Sequence, residues 1–191
     1  VLMIVLNATL FTYGGENAIA VYGIINRVMM FALFPVLGVT QGFLPIAGYN
    51  YGAKNNERVK ETIKMAMIYG SSVATLIFVG IMAFPEAIAT IFTSDAALIK
   101  EPPKALLYVF LATPVITAQL VGSAYFQAAG KALPALILTL LKQGFFLIPL
   151  VYILPKFFGL QGVWYSFPVA DILATIVTLI FLRLEVRKNL S

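Results

Sequence analysis

Three ionisable side chains stand inside long apolar stretches of the sequence: Arg27, Lys142 and Asp171. At the centre of a bilayer each costs at least about 2.5–3.5 kcal/mol on insertion scales, so such groups face protein or water. Lys142 and Asp171 lie on successive apolar segments, 15 and 14 residues from a turn centred near Phe157. Equal distances along antiparallel helices imply equal depth, which predicts an ion pair near the midplane. Two readings stay open for it. It is either a site that handles a proton or cation, or a buried pair that fixes the packing of neighbouring helices. Arg27, with Asn26 beside it, either snorkels outward or lines a cavity. Gln119, Ser123 and Gln127 recur at i, i+4 and i+8 on one helical face, a stripe that lines a cavity or knits helices together. Gln143 stands next to Lys142 and completes the candidate set for a substrate cavity.

The sequence has no His and no Cys, so it offers no imidazole base, no thiolate nucleophile, no disulfide and no soft metal site. Most of its eight carboxylates fall in polar connections. Neither catalysis nor a bound cofactor is expected.

These residues must be positioned by elements that live in lipid. Of the 191 residues 61% are apolar and 11% charged, against roughly 45–50% and 25% in soluble domains. Mean hydropathy is +0.94. Such a chain is neither disordered nor an ordinary soluble enzyme. The net charge of +5 comes from thirteen thinly spread cations, which make no basic face for a nucleic acid. An aromatic complement of 15 Phe, 9 Tyr and one Trp suits either a greasy chamber or lipid-facing positions.

The chain begins at Val1 within the apolar run VLMIVLNATLFTY, and a first helix cut short is expected there. Gly14–Asn17 reads as a turn. Apolar spans then follow at about 18–47, 65–84, 105–129, 132–154 and 160–182. Each is long enough to cross a bilayer as a helix, and no ten-residue alternation suggests barrel strands. Residues Asp95–Glu101 read as a short interfacial helix capped by Thr93 or Ser94. The expected fold class is an all-α polytopic membrane bundle of one truncated and five complete helices, in a single unit over residues 1–191.

Basic residues orient it. Lys54, Arg58, Lys60, Lys64, Lys131, Arg183, Arg187 and Lys188 fall on one side, and Lys100, Lys104 and Lys156 on the other. The positive-inside rule places the first group and the C-terminus in the cytoplasm.

The most specific stretch is TQGFLPIAGYNYGAKNNERVKE, from Thr40. Gly42, Gly48 and Gly52 permit close approach or positive φ, and Pro45 is expected to end or kink the helix at the membrane boundary. Asn50 and Asn55 suit local backbone hydrogen bonds and left-handed turns. This reads as a structured, hinge-like connection between two long helices.

That stretch resembles the signature after the eighth helix of the multidrug and toxic compound extrusion (MATE) family, carried here by Gln41, Gly42, Pro45, Gly48, Tyr49, Asn50, Tyr51, Gly52, Ala53, Lys54 and Asn55. YGGENAIAVYGI, IFTSDAALI, Lys142-Gln143-Gly144, Ile148-Pro149, FGLQGVW and Ala170-Asp171 resemble further family segments in the same order. The resemblance implies a C-terminal six-helix lobe, helices seven to twelve, of a twelve-helix exporter in a bacterial cytoplasmic membrane. Its partners would be the lipid bilayer, an N-terminal lobe of the same protein, and a small amphipathic, often cationic, substrate exchanged for H⁺ or Na⁺ by alternating access. One branch of the family carries acids on the seventh and tenth helices, whereas Val1–Tyr13 and 105–129 contain none. That resembles the branches whose coupling carboxylate belongs to the N-terminal lobe. Rival readings are a lipid-linked sugar or polysaccharide flippase of the same superfamily, and a non-transporting membrane scaffold.

Overall fold

A computed structural model describes residues 1–93 and 102–190, and every regular element among them is a helix. The expected helix Asp95–Glu101, with Ser94 before it, lies outside the described residues. The helices are α1 (Leu2–Gly52), α2 (Asn56–Ala83), α3 (Pro85–Phe92), α4 (Pro102–Val109), α5 (Thr113–Ala128), α6 (Ala132–Phe158) and α7 (Leu160–Asn189).

α1 is a hairpin. Gly15 has φ 65° and ψ −160°, a region essentially closed to residues with a Cβ, and it divides the helix into arms 2–14 and 16–52. Tyr22 Oη lies 4.0 Å from Met3 Sδ. Along an unbroken helix residues 19 apart would be about 28 Å apart, so the arms run antiparallel. The expected turn at Gly14–Asn17 is thus concentrated in one glycine. Four helices, α1, α2, α6 and α7, are long and apolar enough to cross a membrane, and α4 with α5 makes a fifth span bent by 48°. The bend has a local cause. Pro114 lies in the first turn of α5 and carries no N–H, and the Thr113 amide turns back onto the Phe110 carbonyl at 3.0 Å.

The loop motif differs from expectation. Pro45 does not end α1, which continues through Pro35 and Pro45 to Gly52. One missing ladder bond is tolerable in a membrane helix, and buried Phe43 and Ala47 clamp the backbone on both sides of Pro45. The Asn50 side chain donates to the Ile46 carbonyl at 2.8 Å within the same helix. Only Ala53–Asn55 forms the turn. Its positive φ belongs to Lys54 (56°) rather than to an Asn or Gly. Asn55 instead caps α2, accepting from the Arg58 amide at 3.2 Å. Gly48 is needed for proximity: a Cβ there would sit 3.3 Å from the Ala128 carbonyl oxygen.

Two apolar clusters hold the bundle. One gathers Leu6, Leu10, Val21, Ile25, Leu106, Val151, Val163 and Trp164 from α1, α4, α6 and α7. The other gathers Phe43, Val59, Ile63, Val121, Tyr125, Leu138 and Leu182 from α1, α2, α5, α6 and α7. Beside the second cluster the Lys131 ammonium pairs with the Glu185 carboxylate, which also accepts from Tyr125 Oη at 3.2 Å. Lys131 lies 5.9 Å from the centre of the Tyr51 ring, so the α1 motif, the α5–α6 turn and the end of α7 share one polar knot.

Burial by itself would lower the Lys131 pKa, but the hydrogen bond and charge of Glu185 outweigh it and hold the ammonium above the ordinary lysine range. A raised pKa stabilises the fold below the unfolded lysine value and loses that contribution as pH climbs through the folded one. Lys131→Met should therefore cost about 1–3 kcal/mol near neutral pH. Thermal unfolding in detergent should show the gap to wild type closing as pH is raised through the alkaline range. Gly15→Ala should cost about 1–3 kcal/mol through backbone strain. Gly23→Ala should be neutral or stabilising, because Gly23 is helical and a Cβ there meets nothing within 4 Å. The two midpoints measured side by side check this.

Candidate functional site

Between the two apolar clusters lies a polar layer. The fully buried cluster residues on the long arm of α1 stop at Val28 and resume at Phe43, and Leu33, Leu37, Thr40 and Gln41 between them, with Leu44 just beyond, line a cavity of about 310 Å³. α5 adds Ile116, Gln119, Leu120, Ser123, Ala124 and Gln127, and α6 adds Thr139, Lys142 and Gln143. Thr40, Gln119 and Ser123 are buried at its floor, while Gln41, Gln127 and Gln143 are exposed at its mouth.

The i, i+4, i+8 stripe of α5 thus lines this cavity throughout. Ser123 Oγ lies 2.9 Å from Thr139 Oγ1, and Thr139 donates in turn to the Ala135 carbonyl at 2.8 Å, so Ser123 is the donor of the first bond. Gln119 is only 5% exposed, and its Oε1 has no hydrogen-bond partner among the described residues. A buried carbonyl oxygen left unpaired costs about 1–3 kcal/mol, so a site that keeps one is set up to receive a donor.

Lys142 and Asp171 meet as depth counting predicts, with Lys142 Nζ 2.6 Å from Asp171 Oδ1. Their side chains are 21% and 8% exposed. Apart from that ammonium, Oδ1 finds no hydrogen-bond partner among the described residues. Lys142 lines the cavity, whereas Asp171 stands behind it on α7. Lys142 and Gln143 belong to a π-helical stretch, Leu141–Leu147, inside α6. The i→i+5 turn shifts the angular register of the helical turns after it, a distortion that recurs at functional sites.

Asn26 and Arg27 are placed outside this cavity. Val21, Ile25 and Val28 turn one face of α1 into the first cluster, and Arg27, about 200° around the helix from Ile25, is exposed. In the loop motif only Gln41 reaches the cavity. Gly42, Pro45, Tyr49, Gly52 and Ala53 are exposed, and Gly48, Asn50 and Tyr51 are partly buried near the α5–α6 turn or along α1. Sequence reasoning passed over Thr139 and Thr40. Thr139 precedes Lys142 by three residues on one helical face, so spacing was the available signal for it, whereas Thr40, adjacent to Gln41, had none of that kind. Among the described residues no group of three or more acids gathers to hold a metal.

Comparison with known proteins places this geometry. Residues 1–153 match the MatE family model. The multidrug export protein MepA of Staphylococcus haemolyticus is 28% identical over 194 residues, covering 98% of this chain and 41% of that protein. MepA of Staphylococcus aureus is 29% identical over 182 residues, covering 95% and 40%. Among solved structures, the outward-facing conformation of a multidrug resistance MATE family transporter of the MOP superfamily superposes with a TM-score of 0.92 at 26% identity, over 97% of this chain and 42% of that one. A MOP superfamily transporter from Pyrococcus furiosus, described as having a binding pocket of reverse polarity, superposes equally at 0.92 and 27% identity, over 97% and 42%. The chain therefore spans about two fifths of the length of the relatives it matches, which amounts to one lobe. With its apolar spans and the family match over residues 1–153, the chain is an integral membrane protein and belongs to the MatE family.

Proposed function

We propose that this chain is the C-terminal lobe of a secondary active efflux transporter. It would export small amphipathic, often cationic, compounds in exchange for H⁺ or Na⁺ by alternating access, working against an N-terminal lobe of the same protein. The observation that carries this reading is the cavity at the polar layer, which sets Leu33, Leu37, Leu44, Ile116 and Leu120 beside a Gln119 carbonyl that has no partner among the described residues. Such a surface suits an amphipathic guest, whose apolar body packs on Leu33, Leu37, Leu44 and Leu120 while a donor group meets Gln119. The multidrug relatives support the same substrate class. The positive-inside count supports a cytoplasmic C-terminus in a bacterial cytoplasmic membrane.

One observation favours a second reading, transport of a lipid-linked or other anionic compound. Lys142 is the only ionisable residue lining the cavity, and no carboxylate lines it among the described residues. Expressing the intact gene in efflux-deficient cells separates the two. Raised tolerance to cationic drugs supports the first reading, and unchanged tolerance defeats it.

Two variants probe the site. Gln119→Leu removes an acceptor that has no partner to lose, so its melting temperature should hold while half-saturation for an exported drug rises about five- to tenfold. Asp171→Asn strips Lys142 of its counter-charge and should destabilise by about 3–5 kcal/mol, whereas Lys142→Met with Asp171→Leu should recover most of that loss. Efflux retained by the double variant assigns the pair to packing. Efflux lost from a stable double variant assigns it to ion coupling.

A further inference from the structure

A groove of about 400 Å³ runs where α2 passes the end of α7, lined by Lys60, Ile63, Lys64, Met67, Ile68 and Val186. The five α2 residues lie on one helical face, and Lys60, Lys64 and Ile68 succeed each other at i+4 over about 12 Å. Charge is segregated along that distance. Glu57, Arg58, Lys60, Glu61 and Lys64 occupy the first turns of α2, and from Met65 to Ala83 the helix carries no charge. The groove therefore straddles the boundary between headgroups and hydrocarbon, with two ammonium groups at one end and an apolar floor at the other.

The two lysines are unequally committed. Lys60 Nζ lies 2.7 Å from Glu57, whose side chain is 87% exposed and so holds it weakly. Lys64 is exposed and makes no ion pair among the described residues. From α7 the groove receives only the Val186 side chain, which brings no charge. The same polarity repeats on the other flank of α7, where a groove of about 200 Å³ is lined by Phe126, Pro134, Phe181, Leu184, Glu185 and Lys188. Its one carboxylate is engaged by Lys131 and Tyr125, and Lys188 makes no ion pair there among the described residues.

A water-soluble guest would find no polar wall on Ile63, Met67, Ile68 or Val186. An acyl chain would pack against that wall, and the phosphate above it would meet Lys64 and Lys60 at headgroup depth. A zwitterionic lipid would bring a quaternary ammonium to the same cations. We propose that the α2–α7 groove is a binding site for an anionic phospholipid, with one acyl chain along the apolar floor and its phosphate held by Lys64 and Lys60.

The test uses the intact transporter protein purified in a neutral detergent and titrated with phosphatidylglycerol or with phosphatidylcholine of matched chains. Native mass spectrometry reads the bound lipid, and the melting temperature without lipid confirms that each variant is folded. Phosphatidylglycerol should be retained in preference, by roughly fivefold for each lysine engaged. Lys60→Gln with Lys64→Gln should abolish that preference, while Arg58→Gln, a cation on the same helix outside the groove, should leave it intact. Equal retention of both lipids, a preference that survives the double variant, or an equal loss in Arg58→Gln would each overturn the proposal.

Discussion

Lys142 and Asp171 lie 2.6 Å apart inside a bundle that is otherwise built to be immersed in hydrocarbon. Neither charge is tolerable there alone, because an ion removed from water without a partner costs several kcal/mol. The requirement that they meet sets the relative height of α6 and α7, and the turn between those helices is short enough to leave no slack. It also defines a layer. Above and below the pair the helices close on apolar clusters, and at its level Thr40, Gln119, Ser123 and Thr139 keep polar groups together. The cavity opens at this layer, with Lys142 on its wall.

The connections arise from the same need to keep backbone groups satisfied in lipid. Gly15 reverses α1 with one residue in a conformation that side chains resist, so almost no peptide groups are left outside a helix. Ala53–Asn55 joins α1 to α2 with Asn55 supplying its own cap. The polar knot of Tyr51, Tyr125, Lys131 and Glu185 then ties that turn to the α5–α6 turn and to the end of α7. In this way the stretch that names the family acts mainly through packing, with Gly48 against Ala128 and Tyr51 beside Lys131, and only Gln41 enters the cavity.

The candidate site was legible in parts. The Gln119–Ser123–Gln127 stripe and the Lys142–Asp171 pair were readable because each is a relation of spacing along regular helices, or of depth around one turn. Arg27 was ambiguous because its distance from the end of the segment says nothing about rotation. That rotation is decided by Val21, Ile25 and Val28 packing inward, which turns Arg27 outward. Pro45 misled because proline is a helix breaker in water, while in a membrane span the neighbouring contacts keep the helix going.

What the sequence determined by itself is the solvent and the class. Apolar runs of bilayer length and rare charges leave helices in lipid as the only economical arrangement, and one motif is specific enough to identify the family. What only the tertiary structure decided is which faces meet. The π-helical turn at Leu141–Leu147, the 48° bend between α4 and α5, and the orphaned Gln119 oxygen have no signature in composition or period. The bend has a local proline behind it, but how far it swings and what meets the Gln119 oxygen are set by helices far apart in sequence. In lipid, helix formation is satisfied locally by backbone hydrogen bonds, but the rotation and register of each helix are set by its neighbours.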